Sequence, residues 1–193
     1  MENIVIVDCI RTGLAKAHRG TFNLTRSDDL VAHCINALLE RNPAIDPGEI
    51  EDVILGCGRQ VGEQSANVAR HAVALSKLPI TVPATTISRA CSSGLNSIAF
   101  AATQIASGCA EMILAGGVES ITGLDRGSPG EHSENPILME QKPDIFMAMG
   151  NTAEVVARRY QVSREAQDLY ALQSQQRYAA AEEKGFIQEG IVP

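Results

Sequence analysis

Cys91 is where this chain could do covalent chemistry. The β-branched run Thr85-Thr86-Ile87 leads through Ser88-Arg89-Ala90 into the cysteine, and Ser92-Ser93-Gly94-Leu95-Asn96-Ser97-Ile98 opens an Ala-rich helix behind it. A thiol at a strand-to-helix turn lies at the positive end of the helix dipole, which favours the reactive thiolate form. Small residues after it, Ser92 and Gly94 among them, let a substrate reach the sulfur and the neighbouring backbone N–H groups. Those are the conditions for a cysteine nucleophile in acyl transfer. Set against this, a cysteine in apolar surroundings is usually a small buried hydrophobe. Cys9, Cys34 and Cys109, each in an apolar strand or on an apolar helix face, are read that way, and so is Cys57 between two glycines. Five cysteines with no C-x-x-C spacing indicate neither a disulfide framework nor a zinc site, and four scattered histidines show no metal-ligand pattern.

Around this turn the pattern alternates strands and helices. Ile4–Ile10 reads as a buried strand, followed by a basic loop from Arg11 to Gly20. Thr25 with Asp28 forms a capping-box-like start for a helix that carries Leu30, Val31, Cys34, Ile35, Leu38 and Leu39 and stops near Pro43. Asp46-Pro47-Gly48-Glu49 predicts one short helical turn. Val53–Cys57 is a second strand, and Ser65 or Asn67 caps a helix through Val68, Ala72, Val73 and Leu75. Ala84–Arg89 is a third strand. The helix after Cys91 presents Leu95, Ile98, Ala99, Ala102, Ile105 and Ala106 at helical spacing and stops at Gly108. Glu111–Gly117 is a fourth strand. This order predicts an α/β fold, a mostly parallel sheet with helices on both faces. From Gly123 to Pro143 the chain reads as a long irregular loop. A helix with Ala153, Val156, Ala157 and Tyr160 follows, then one capped by Ser163 that runs to Lys184 and ends at Gly185. Gly190-Ile191-Val192-Pro193 looks like the start of a strand, so a truncated domain is expected.

With 193 residues, 45% hydrophobic and 20% charged, the composition is that of a globular protein with a substantial core. The net charge of −7 argues against a general nucleic-acid surface. No apolar run reaches the ~20 residues of a membrane span, and the N-terminus has neither a basic n-region nor an amphipathic leader, so a cytoplasmic location is expected. Gly116-Gly117-x-Glu119-Ser120 ends a strand, where open α/β sheets bind ligands, although glycines there also serve close backbone packing. Gly56-Cys57-Gly58 is not a nucleotide fingerprint. Arg158-Arg159 reads as a solvated helix face rather than a CoA-phosphate site.

Ile87-Ser88-x-x-Cys91-Ser92-Ser93-Gly94-Leu95-x-Ser97-Ile98 resembles the acyl-enzyme signature of the thiolases. Five further segments resemble thiolase segments in the same order: Arg11-Thr12; Asn67-x-Ala69-Arg70; Gly116-Gly117-x-Glu119-Ser120; Met149-Gly150-x-Thr152-Ala153-Glu154; and Ser163-Arg164-Glu165-x-Gln167-Asp168 with the run into Ile191-Val192-Pro193. The resemblance covers essentially the whole chain. It implies a thiolase-like N-terminal half, with a core at 1–120 lacking its last strand and the start of an inserted helical loop domain at 121–193. It also implies cleavage of 3-ketoacyl-CoA with coenzyme A as substrate, or the reverse condensation of two acetyl-CoA. In that chemistry Cys91 attacks the ketone carbon, the carbon–carbon bond breaks, acetyl remains on the sulfur, and CoA removes the acyl group. The N–H of Cys91 serves as an oxyanion donor, and Met149 lines the acyl or pantetheine pocket. No bound cofactor or metal is implied, and a homodimer or homotetramer is expected. Two departures stand out: Ser88 where thiolases often have Asn, and Ala148 where many have His.

The same resemblance shows what these residues lack. The histidine that deprotonates the thiol and the second cysteine that moves the substrate proton lie in Gly-His-Pro and Cys-x-Gly segments, and neither occurs here. These 193 residues alone are therefore expected to be inactive and, with apolar surface exposed, to associate. The rival readings are a ketoacyl synthase of the same fold, a non-catalytic thiolase-like domain that binds CoA, lipid or a partner, and a plain structural α/β domain. The segments after Gly116 and around Met149 favour the thiolase.

Overall fold

The computed structural model describes residues 4–124 and 135–193. They fall into two compact units, one of residues 4–124 with 190–193, the other of 135–189.

The first unit is built on three parallel strands, β2 (Asp52–Gly56) between β3 (Ala84–Ile87) and β4 (Ile113–Gly117). Ile54 lies opposite Thr85 on one side and Ala115 on the other. Because side chains alternate along a strand, β2 serves two layers. Val53 and Leu55 face the core formed with helices α1 (Ser27–Arg41) and α2 (Val68–Leu75), where Val31, Ile35, Ala69, Ala72 and Val73 are buried with them. Burying each of these two β2 side chains stabilises the unit by about 2 kcal/mol. Gly56 faces the opposite layer, helix α3 (Ser93–Ala106). The parallel sheet with helices on both faces is thus the arrangement the alternating pattern predicts.

Several details differ from expectation. Residues 4–10 form no strand: Val5, Ile6 and Val7 are exposed, and the segment is held by Asp8, whose carboxylate accepts from Arg41 (3.0 Å) and Asn42 (2.9 Å). A strand exists only through a neighbour that takes its N–H and C=O groups, and none pairs with 4–10 among the described residues. Instead β1 is Arg11–Thr12, paired in parallel with β5 (Ile191–Val192). The capping box at Thr25 does not form. Arg26 occupies the N-cap of α1, Asp28 turns to its guanidinium (2.8 Å), and Glu63 supplies the missing acceptor to the Ser27 N–H (3.0 Å). Asn67, not Ser65, caps α2, its side chain accepting from Arg70 N–H. The turn at Pro47–Glu49 forms with Asp46 accepting from Gly48 N–H.

Helix α3 shows the largest difference. The apolar stripe predicted to be buried is turned outward, with Leu95 73% exposed and Ile98 exposed too, while Ser93, Asn96, Ser97 and Ala101 face the sheet. The reason is the short distance between helix and sheet, which only small side chains allow. Ser97 Oγ donates to Gly116 O (2.6 Å), a bond a bulky residue could not replace.

Four-residue α4 (Ile121–Leu124) is followed by residues 125–134, a part of the expected loop that lies outside the described residues. What remains of that loop is partly helical. In the second unit α5 (Pro136–Gln141) starts on Asn135, whose side chain accepts from Ile137 and Leu138 N–H, with Pro136 at the first helical position. Helices α6 (Met149–Arg159) and α7 (Arg164–Glu183) follow, the latter capped by Ser163 and stopped at Gly185 with φ +78°. Among the described residues no helix is long and apolar enough to cross a membrane.

Candidate active site

Cys91 is exposed and sits one residue before Ser92, the N-cap of α3. The turn that carries it is tightly determined. Ala90 has φ +46°, a left-handed conformation that costs an L-residue about 1 kcal/mol or more and persists only where the surroundings enforce it. The enforcement is local. Ser92 N–H donates to Arg89 O and Ser93 N–H to Ala90 O, each at 3.1 Å. Buried Ser93 then closes the turn twice: its hydroxyl donates to Ala90 O (2.6 Å) and accepts from Arg89 N–H (2.8 Å). The amides of Ser92 and Ser93 are thereby occupied. The backbone N–H of Cys91 itself has no hydrogen-bond partner among the described residues, so it is the amide free to meet a negatively charged oxygen beside the sulfur.

Two glycines of the sheet let α3 come down onto it. A Cβ at Gly56 would collide with the carbonyl of Ser93 and the N of Gly94, and one at Gly117 would lie 3.1 Å from Gly56 O and 3.2 Å from Gly94 Cα. Gly117 therefore serves close packing, whereas a Cβ at Gly116 would meet only Leu55 Cδ2 at an ordinary 3.7 Å. Behind the turn, the Glu119 carboxylate accepts from Gly58 N–H (2.8 Å) and from Gln64 Nε2 (2.8 Å). Gln64 is fully buried; it also donates to Arg59 O (2.8 Å) and accepts from Ser120 N–H.

The other cysteines separate by environment. Cys57 is buried, and burial, with the adjacent Glu119 charge, pushes its thiol up to about 11. Burial also raises the Cys34 thiol. Cys9 and Cys109, expected to be buried, are exposed: Cys9 belongs to the unpaired segment 4–10, and Cys109 follows the left-handed Gly108 that ends α3. Of the residues expected to form the site, Cys91, Ser92 and Gly94 lie together at the head of α3, with Ser92 exposed and making no capping bond. Met149 belongs to the second unit, where it opens α6 and is 70% exposed. Arg158 and Arg159 are exposed in the last turn of α6, favourably placed for the helix dipole. Sequence reasoning passed over Ser93 and Gln64. Ser93 could have been noticed as a hydroxyl able to bond back three or four residues at a helix start. Nothing local marks Gln64, whose partners Glu119 and Ser120 are fifty-five and fifty-six positions away.

The first unit is thus a parallel α/β sheet with an exposed cysteine at the head of a closely seated helix. The comparisons with known proteins make this specific: residues 4–193 match the family model described as thiolase, N-terminal domain, and the chain belongs to the thiolase family. It is 43% identical to a 3-ketoacyl-CoA thiolase of Bacillus subtilis (strain 168), over 100% of this chain and 49% of that protein. It is 41% identical to a 3-ketoacyl-CoA thiolase of Erwinia tasmaniensis, again over 100% of this chain and 49% of the relative. A beta-ketoadipyl-CoA thiolase of Acinetobacter baylyi is 41% identical over 100% of this chain and 52% of its own length. The chain thus spans about half the length of the curated relatives it matches.

Proposed function

We propose that this chain is the nucleophile-bearing part of a thiolase, an acyltransferase of fatty-acid metabolism that works through a thioester on Cys91. The observation that carries the reading is the Cys91 turn: an exposed thiol before a helix N-terminus, a strained Ala90 held by Ser93, and a free N–H on the cysteine itself. The Cys91 thiolate attacks the 3-keto carbon of a 3-ketoacyl-CoA and forms a C–S bond. The developing oxyanion is stabilised by the Cys91 N–H. The bond between the α and β carbons then breaks, its electron pair leaving with acetyl-CoA, which takes up a proton. The acyl group stays on sulfur until the thiolate of a second CoA displaces it. The reverse sequence condenses two acetyl-CoA. Ser92 and Gly94 leave room for the substrate at the sulfur, and Met149 contributes to the pocket for the acyl chain or pantetheine.

Two proton transfers in this scheme need a base for the thiol and an acid–base group for the α-carbon. With no Gly-His-Pro or Cys-x-Gly segment in these 193 residues, both groups come from outside them, and the residues alone do not turn over substrate. Coenzyme A enters as substrate with no bound cofactor. The core 1–120 carries the nucleophile, and an inserted helical domain begins after it. Assembly as a homodimer or homotetramer in the cytoplasm accords with the family likeness and with the outward apolar face of α3.

The test is a chimera in which this chain replaces the matched half of the Bacillus subtilis relative. Thiolysis of acetoacetyl-CoA that disappears with Cys91→Ala is the expected result. A folded chimera whose activity survives that substitution rejects the reading, and a folded chimera that binds CoA without turnover favours a binding domain.

A further inference from the structure

We propose that Glu119 is a positioning residue for the Cys91 nucleophile, acting through the backbone of Gly58. The proposal rests on the reading of Cys91 as the nucleophile and goes beyond it by assigning what holds that turn from behind.

Three residues converge on Gly58. Glu119, just past the end of β4, receives its N–H at 2.8 Å. Its carbonyl accepts from Ser88 Oγ (3.2 Å), three residues before the nucleophile. The hydrogen side of its Cα faces Ala90: a Cβ there would be 3.2 Å from Ala90 O and 2.8 Å from Glu119 Oε2. The backbone of Gly58 is therefore held between the carboxylate and the carbonyl of the one residue in this turn with a left-handed backbone. That same carbonyl is the acceptor for both Ser93 N–H and Ser93 Oγ, the two bonds that close the turn. Ala90 needs this over-determination, because left to itself it would relax to negative φ. Glu119 is in turn oriented by buried Gln64, which is locked by Arg59 O and Ser120 N–H. The line of support runs from Gln64 to Glu119 to Gly58 to Ala90, and Cys91 is the next residue. The steric demand also explains why position 58 is glycine at ordinary φ: any side chain would separate the carboxylate from the turn.

A carboxylate between two N–H donors has a distinctive test, because donor and acceptor can be exchanged. Glu119→Gln sets an amide N–H against Gln64 Nε2 or Gly58 N–H. Gln64→Glu sets two carboxylates together. The double variant Glu119→Gln/Gln64→Glu restores an acceptor for Gly58 N–H, a bond between residues 64 and 119, and an acceptor for Ser120 N–H, and differs from the parent in lacking the donor to Arg59 O. The readout is amide exchange by NMR on the intact chain. In each single variant the N–H groups of Gly58, Ser92 and Ser93 exchange about tenfold faster, the change expected for loss of one charge-assisted hydrogen bond. The N–H of Val53, bonded to Pro83 O within the sheet, keeps its rate. The alkylation rate of Cys91 relative to Cys109, measured by peptide mass spectrometry, changes in parallel, and both readouts return toward the parent in the double variant.

Acceleration confined to Gly58, or a double variant no better than the singles, overturns the proposal. Should Glu119→Gln fail to fold, Ser88→Ala cuts the same support at its exposed end. It must then quicken Ser92 and Ser93, and unchanged rates there refute the coupling. None of these readouts requires turnover. Lost coupling beside an active chimera refutes the role of Glu119 alone, and intact coupling beside an inactive chimera refutes acyl transfer alone.

Discussion

Gly56→Ala is the sharpest test of how the nucleophile helix is seated. The added methyl would fall inside van der Waals contact of Ser93 C and O and of Gly94 N, all backbone atoms, so no rotamer change can relieve it. Restoring ordinary contact requires α3 to move off β2 by roughly 1 Å. Overpacking of this kind costs about 1–3 kcal/mol. The movement also stretches the Ser97 Oγ to Gly116 O bond of 2.6 Å, worth about another 1 kcal/mol. We expect a loss of roughly 2–4 kcal/mol in urea unfolding followed by far-UV circular dichroism, which suits a chain without Trp. In the chimera, a nucleophile displaced by about 1 Å should lose on the order of 100-fold in thiolysis. Gly94→Ala is the matched control: the nearest atom to its new methyl is Gly117 Cα at 3.9 Å, and alanine is the better helix former by about 0.5–1 kcal/mol, so stability holds or rises. Gly13→Ala, which meets nothing within 4 Å, sets the baseline. A Gly56→Ala protein with the unfolding midpoint of Gly13→Ala would show that α3 does not rest on the glycine and would refute the packing account.

Three further outcomes follow from the same structure. Burial raises the Asp28 carboxyl, but the hydrogen bond and charge of Arg26 more than offset it, leaving Asp28 below its ordinary 3.8; the stability it contributes is present above that value and is lost as pH falls through the lower folded value. Asp28→Asn should remove this acid-side slope in urea midpoints taken below about pH 5 and cost about 1–2 kcal/mol at neutral pH; an unchanged slope contradicts the assignment. Cys57, with its thiol near 11, should stay unlabelled by iodoacetamide at pH values where Cys91 is modified in the folded chain, and labelling of Cys57 at the rate of Cys91 contradicts its burial. Asn67→Ala removes the cap of α2, the acceptor for Thr86 Oγ1 (2.7 Å) and the donor to Ala84 O (2.9 Å), so a loss of about 2–3 kcal/mol is expected and less than 1 kcal/mol would contradict it.

Local chemistry made much of this protein legible from its residues. Strands at Val53, at Ala84 and before Gly117, the short turn after Asp46, a cap at Ser65 or Asn67 and the stop at Gly108 all follow from side-chain pattern and backbone preference over a few residues, and the cysteine before a small-residue helix start marks itself in the same way. What required the tertiary structure lies at longer range. Whether 4–10 is a strand depends on a neighbour, and its apolar pattern cannot supply one. The cap of α1 comes from Glu63, not from the local Thr25, because an acceptor folded in from another element reaches the Ser27 N–H. The apolar stripe of α3 faces outward because backbone-to-backbone contact at Gly56, Gly94 and Gly117 selects the small face for the sheet, and hydrophobic spacing does not encode which face a glycine pair will demand. The sequence by itself therefore determined most of the elements of the first unit, the place of Cys91 before a helix, and the family likeness. Only the folded chain decided what lies behind the Cys91 turn, since Gln64, Gly58 and Glu119 are joined through hydrogen bonds between residues as much as sixty-one positions apart.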